Sequence, residues 1–436
     1  MSAALHRLAN GLTVATDPMP GTQSASVGLY ASVGSRSEPA GLGGLAHLVE
    51  HMVFKGAGGR DARAIAEAIE DVGGSLNAWT ARDQTVFHAR VLAADVPLAM
   101  ELIADLVRVP ALDEAELERE KLVILSELGE ALDQPDDLIH DHLFEAMYGR
   151  QPLALPVLGR EPTIRAATAA DCRAWLANEY RPDRLVIAAS GAIDPQAIVA
   201  MAERLFGDLA PGDAPAIPSG RFVGGARHDR RSAEQAHWGF AMEGLAATDP
   251  AVPALGLFTQ AVGGGMSSRL FQQLREERGL AYSVYAWGQG FADTGLFAVN
   301  CATDRAKAGE AMALARDIVA RAADDLSQAE LDRARAQLEA GLLMSLETVQ
   351  GRADQMARSI EVFGRIMPQE ELVAELRAVD VAGARAAGAA LHAGPVAIAS
   401  IGSKLALAAC AYGLVDDHHR AVGRLRPDRL RAWPQI

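Results

Sequence analysis

The residues best suited to chemistry lie in the segment GGLAHLVEHMVFKG, where His47, Glu50 and His51 fall close together. On an α-helix His47 and His51 stand one turn apart on the same face, so two imidazoles can share one Zn²⁺ with Glu50 flanking them. Leu48, Val49, Met52 and Val53 are apolar, which predicts a helix pressed into a core that holds its ligands rigid and partly dry. A lone histidine on an apolar helix face is usually a satisfied core or surface residue. A histidine pair one turn apart with an acid beside it points instead to a metal.

Catalytic zinc keeps three protein ligands and one open position, so a third ligand must come from elsewhere in the chain. Glu127 is the candidate. It lies in ELEREKLVILSELGE, a predicted helix on which Glu120 and Glu127 are two turns apart and share a face with Val123 and Ile124. Two carboxylates turned toward an apolar side are costly to bury without positive charge, and a divalent cation would compensate both. A second polar knot, His140-Asp141-His142, reads as structural, because alternate positions on a helix do not face together. His418-His419 in VDDHHR reads as a solvated loop.

These residues need elements to carry them. Asn10-Gly11 is a turn signal, and Ser26 to Val33 alternates apolar with small residues as a half-buried strand does. Helical spacing runs from Gly44 to Lys55 and recurs over Arg60 to Val72 and Val96 to Val107, with strand-like Asn77 to Val91 between them. The order is α+β. The stretch 207–231, GDLAPGDAPAIPSGRFVGGARHDRR, is rich in Pro, Gly and Ala without a sustained period and reads as a linker between domains 1–206 and 232–436.

The two halves look related. DEAELER (Asp113 to Arg119) and SQAELDR (Ser327 to Arg333) each open a long helix, one in either half of the chain. The shift that carries Asp113 onto Ser327 also carries Glu120 onto Ala334 and Glu127 onto Gly341, so the second copy lacks their chemistry. A match this short between acidic helices also arises by chance, so duplication is an expectation for the structure to test.

Length and composition bound the function. A chain of 436 residues has room for two or three domains of roughly 100–200 residues each. Its net charge of −15 repels nucleic acid and anionic membrane. Cys172, Cys301 and Cys410 form no Cys-x-x-Cys pair and read as reduced core thiols. The N-terminal segment shows no secretory signal, so the expected compartment is the cytoplasm. Pro395 to Val415, interrupted by Ser400, Gly402, Ser403 and Lys404, fails as a membrane span and reads as a buried strand followed by a helix.

His-x-x-Glu-His is the inverse of the His-Glu-x-x-His zinc motif and marks the inverzincins. The chain resembles the pitrilysin family, which includes insulysin and the mitochondrial processing peptidase. Glu127 follows His51 at the distance of the family's third ligand, and Glu120 precedes Glu127 by two helical turns, as the family's outer acid does. LNAWTARDQTVF (Leu76 to Phe87) is similar to the family's substrate-pairing edge strand, which assigns Asn77 and Ala78 to substrate. GGGMSSRLFQQLREERGLAYSVYAW (Gly263 to Trp287) is similar to its C-terminal motif, in which Arg275 and Tyr282 would reach an active site across a chamber.

The resemblance implies two related domains, each a mainly antiparallel sheet packed with helices, together forming half of a clamshell chamber. It implies one Zn²⁺ per chain on His47, His51 and Glu127, with Glu50 as general base and Glu120 behind the ligands. Two units in a chain of this length correspond to the processing-peptidase branch, so a second chain must close the chamber. A homodimer is expected, with a paralogous partner subunit as the other arrangement. Substrates would be short or unfolded peptides. The alternative is a non-catalytic structural subunit of the same fold, like respiratory-complex core proteins, which would carry a damaged zinc motif.

Overall fold

The computed structural model describes residues 3–212 and 215–402. The first half contributes strands β1 (Ala4–Arg7), β2 (Thr13–Pro18), β3 (Ser24–Ala31), β4 (Gly56–Ala57), β5 (Arg60–Asp61), β6 (Ser75–Thr80), β7 (Thr85–Leu92) and β8 (Leu185–Gly191). Six of them form one sheet in the order β1-β2-β8-β3-β7-β6, while β4 and β5 make a separate small hairpin. The second half contributes β9 (Gly225–Asp229), β10 (Ala236–Glu243), β11 (Ala281–Gly290), β12 (Gly295–Thr303) and β13 (Val396–Ile401). These form a five-stranded sheet in the order β11-β12-β10-β13-β9.

The strand orders reveal the duplication. Read from its opposite edge, the second sheet repeats β2-β8-β3-β7-β6 of the first. Both contain one parallel pair at the matching place, β2 with β8 and β9 with β13, among otherwise antiparallel neighbours. The shift that carries the start of α4 (Glu114–Asp133) onto that of the helix Gln328–Ser345 also carries α5 (Pro135–Tyr148) onto the helix Val349–Phe363. The offset suggested by one short match thus extends over two consecutive helices.

The first sheet's inner face buries Val27, Leu29, Phe87, Ala89 and Ile187 against α1 (Leu45–Val53), α2 (Ala62–Glu70) and α3 (Val96–Arg108). The other face is covered from the opposite half. Ala353, Met356, Ala357 and Ile360 of the helix Val349–Phe363 pack on Ala15, Tyr30, Val86 and Ala188. Reciprocally, Leu138, Ile139, Leu143 and Met147 of α5 pack on Ala241, Ala298, Ala397 and Ala399 of the second sheet. Small residues on these sheet faces let a helix approach closely. Each larger side chain buried there, such as Leu143 or Met147, contributes roughly 2 kcal/mol to holding the halves together.

Two expectations change in detail. The region from Asn77 to Val91 is a hairpin, with a turn at Ala81–Gln84 between β6 and β7. The stretch 207–231 is not linker throughout, because β9 pairs in parallel with β13 as an edge strand of the second sheet. Its Gly224 and Gly225 take positive φ, so glycine content there marks entry into a strand. Val396–Ile401 is the buried strand expected of the 395–415 stretch, while the helix expected after it, Cys410 and His418-His419 lie outside the described residues. Cys172 and Cys301 are buried and free, and among the described residues no helix is long and apolar enough to cross a membrane.

Candidate metal centre

Helix α1 is amphipathic, with Leu48, Val49, Met52 and Val53 buried. It starts at Leu45 because Gly44 adopts a left-handed conformation, φ 92°, where a Cβ would stand 2.8 Å from the carbonyl oxygen of Leu158. Glycine is required there by both conformation and space. The helix takes its cap from outside. The two Glu38 carboxylate oxygens accept from the backbone N–H groups of Gly44 and Ala46, each at 2.8 Å. Burial pushes the Glu38 carboxyl up to about 8, opposed by those two N–H groups, which favour its charge.

On this helix the Nε2 atoms of His47 and His51 face each other at 3.2 Å. Oε2 of Glu127, on α4, lies 3.6 Å from His51 Nε2 and 4.0 Å from His47 Nε2. A tetrahedral zinc with bonds near about 2.0–2.1 Å separates its donors by about 3.3 Å. The three donors form a triangle that fits this with only a small adjustment of Glu127, whose side chain is 41 % exposed. Burial, assisted by the neighbouring His51, lowers the His47 pKa to about 4, so the ring stays neutral and keeps a lone pair for a metal. Its Nδ1 is buried without a hydrogen-bond partner among the described residues.

The surroundings orient this set. His51 Nδ1 is 2.8 Å from Glu120 Oε1, and Lys55 Nζ is 2.6 Å from Glu120 Oε2. A carboxylate behind a histidine fixes the tautomer that leaves the other nitrogen free to ligate. The charge of buried Glu120 is therefore balanced by Lys55, and a cation shared with Glu127 is not needed for that purpose. The helical face also differs from expectation. Glu120 and Ile124 are buried, but Val123 is 45 % exposed.

Glu50 projects beside the triangle. Its Oε2 accepts from Thr80 Oγ1 at 2.6 Å, and burial raises its pKa above the usual carboxylate value while Thr80 opposes the rise. Thr80 ends β6, which among the described residues has β7 as its single strand neighbour. The backbone of Asn77 and Ala78 thus lies on an open sheet edge leading to Glu50. Asn77 is exposed, with its Oδ1 accepting from the N–H of Ala78, and Ala78 is buried.

The second-half candidates stand apart. Arg275 lies on a π-helical segment, Phe271–Glu277, with its guanidinium 4.8 Å from the Phe271 ring centroid. Tyr282, near the start of β11, is 71 % exposed. Among the described residues neither is brought to the histidine cluster. His140 and His142 diverge as helix geometry requires: His140 meets Tyr285 Oη at 2.9 Å, and His142 meets Asp229 at 3.4 Å, both tying α5 to the second half.

Sequence reasoning missed Glu38, Lys55 and Thr80. Lys55 is legible as a basic residue one turn after His51, the spacing that reaches the same neighbour on α4. Glu38 precedes its helix by a loop, and Thr80 looks like any strand residue.

Residues 13–161 match the Insulinase (Peptidase family M16) model, and residues 166–338 match the Peptidase M16 inactive domain model. An uncharacterized zinc protease of Streptomyces coelicolor is 37 % identical over 382 residues, covering 85 % of this chain and 83 % of the relative. One from Bacillus subtilis is 31 % identical over 374 residues, covering 85 % and 91 %. A Pseudomonas fluorescens structure described as a peptidase M16 inactive domain superposes with a TM-score of 0.84 at 25 % identity, covering 93 % of this chain and 98 % of that one. A Helicobacter pylori protease shares the fold with a TM-score of 0.84 at 20 % identity, covering 92 % and 99 %. The chain belongs to peptidase family M16, the insulinase or pitrilysin family.

Proposed function

We propose that the protein is a zinc-dependent endopeptidase that hydrolyses short or unfolded peptides, with one zinc per chain on His47, His51 and Glu127. The observation that carries this reading is the triangle of three donors with Glu50 held beside it by Thr80. A zinc ion bound there would supply Lewis acidity toward a peptide carbonyl and lower the pKa of a water. Glu50 would take the proton from that water and deliver it to the leaving amine, a task suited to a carboxylate whose pKa burial has raised. Thr80 orients Glu50, and Glu120 keeps His51 in the ligating tautomer.

A peptide would add as a strand to the free edge of β6 at Asn77 and Ala78, drawing affinity from backbone hydrogen bonds and so tolerating many sequences. The chain would form half of a clamshell chamber closed by a second copy, bringing the partner copy's arginine and tyrosine, equivalent to Arg275 and Tyr282, toward the bound peptide. Both side chains are substantially exposed in this chain, which leaves them free to meet a peptide bound to the other copy. The free, buried Cys172 and Cys301 accord with a cytoplasmic setting.

The test combines metal analysis of purified protein with a quenched fluorescent peptide assay. One zinc per chain and cleavage abolished by chelator are expected. Metal-free, inert protein would favour a structural subunit. Mass in solution decides between a dimer and a single chain.

A further inference from the structure

Arg36 is 1 % exposed and reaches three separate parts of the molecule. Its Nη1 lies 3.3 Å from both carboxylate oxygens of Asp83, its Nη2 is 2.5 Å from Asp293 Oδ2, and its Nε donates to the carbonyl of Pro218 at 2.8 Å. Asp293 also accepts from the Gly220 N–H at 2.7 Å. One guanidinium therefore joins the first half, the second half and the segment between them.

The two aspartates are duplicates of each other. Asp83 sits in the turn between β6 and β7, and Asp293 in the turn between β11 and β12, the matching edge hairpins of the two sheets. Each is the third position of a turn closed in the same way, Ala81 N–H to Gln84 O at 2.7 Å and Phe291 N–H to Thr294 O at 2.8 Å. The arginine is not duplicated. Ser35 N–H bonds to Ala81 O at 3.1 Å, and in the second half Ala247 N–H bonds to Phe291 O at 2.8 Å in the same manner. The position after Ala247, matching Arg36, is Thr248. One planar fork bonds both carboxylates at once.

The segment carrying Arg36 also touches both sides of the Glu50–Thr80 bond. On one side, Glu38 caps α1, which bears Glu50. On the other, Ser35 and Arg36 bond through their N–H groups to the carbonyls of Ala81 and Arg82, directly after Thr80. We propose that Arg36 is a positioning residue: by clamping the twin hairpins through Asp83 and Asp293, it lets the second half set the placement of β6 and of the Glu50–Thr80 pair. The proposal rests on the peptidase reading for its catalytic consequence but not for its structural one.

Two measurements keep these separable. Spin labels on Ser75→Cys and Gln289→Cys, at exposed positions of β6 and β11, in full-length protein also carrying Cys410→Ser, report the distance between the edge strands by pulsed EPR. Asp293→Asn, which alters none of the three donors and is conservative in volume, is expected to broaden that distribution. Arg36→Lys, which keeps the charge but loses the fork, is expected to do the same. In the zinc-loaded protein both variants should lower kcat for a peptide by about tenfold, with zinc affinity in a chelator competition unchanged. A purely structural role would lower the melting temperature and leave kcat per folded, loaded molecule intact, which overturns the positioning role. An unchanged distance distribution in both variants overturns the clamp itself. Should the parent protein cleave no peptide, the peptidase reading fails while the distance measurement still decides the clamp.

Discussion

His51 Nδ1 stands 2.8 Å from Oε1 of Glu120, a carboxylate that is itself buried and paired with Lys55. This bond fixes which imidazole nitrogen faces the donor triangle. Glu120→Gln can still accept a hydrogen bond but loses the charge that raises ligand basicity. Zinc affinity is expected to fall by about 10–100-fold, as removal of an outer-shell partner typically costs. Competition with a chromogenic chelator measures it, and an unchanged affinity would show that the ring needs no such support.

Glu50 is not one of the three converging donors, so its removal separates metal binding from chemistry. Glu50→Gln should bind zinc as the parent does yet lose at least about 100-fold in peptide hydrolysis, the lower end for a general base. Thr80→Val should lower kcat less, since the carboxylate remains and only its orienting hydroxyl is gone. Hydrolysis by Glu50→Gln at the parent rate would assign the base elsewhere.

Glu38 replaces an absent side-chain cap on α1 with two hydrogen bonds in a buried place. Glu38→Ala leaves two buried N–H groups unpaired, at about 2–3 kcal/mol in total. Urea unfolding should show that loss. Zinc binding should weaken as well, because both histidines sit on the helix that the carboxylate anchors.

The pair Arg269–Glu330 gives a pH signature in the second half. The hydrogen bond from Arg269, with those from Ser327, lowers the Glu330 pKa to about 2. A depressed folded-state value contributes stability above the unfolded value, near about 4.3, and that contribution disappears as pH falls toward the folded value. At neutral pH, Glu330→Gln is expected to cost about 1 kcal/mol, discounted because the carboxylate is partly solvated. Measured by urea unfolding, the gap between parent and variant should narrow on acidification from neutrality to about pH 3; a gap that grows would contradict the assignment.

Local pattern carried much of this protein. Histidines one turn apart with apolar neighbours specify a buried helix that presents two imidazoles, because side-chain direction on a helix follows from spacing alone. The repeat of DEAELER as SQAELDR marked a duplicated unit, and the absence of Glu120 and Glu127 from its second copy marked which half carries the donor set. These features need no knowledge of distant contacts.

Other features depend on residues far apart in sequence, where spacing carries no information. Glu50 meets Thr80 from a separate strand. The crossing of α5 and the helix Val349–Phe363 onto each other's sheets appears only after both sheets exist to receive them. Arg36 is the clearest case. In sequence it is a charged residue in a polar loop, and only folding places it between two carboxylates from opposite halves of the chain, out of water. Periodicity determines which face of an element is buried; what that face meets is decided by the packing of complete elements, and the charges of this chain find their partners there.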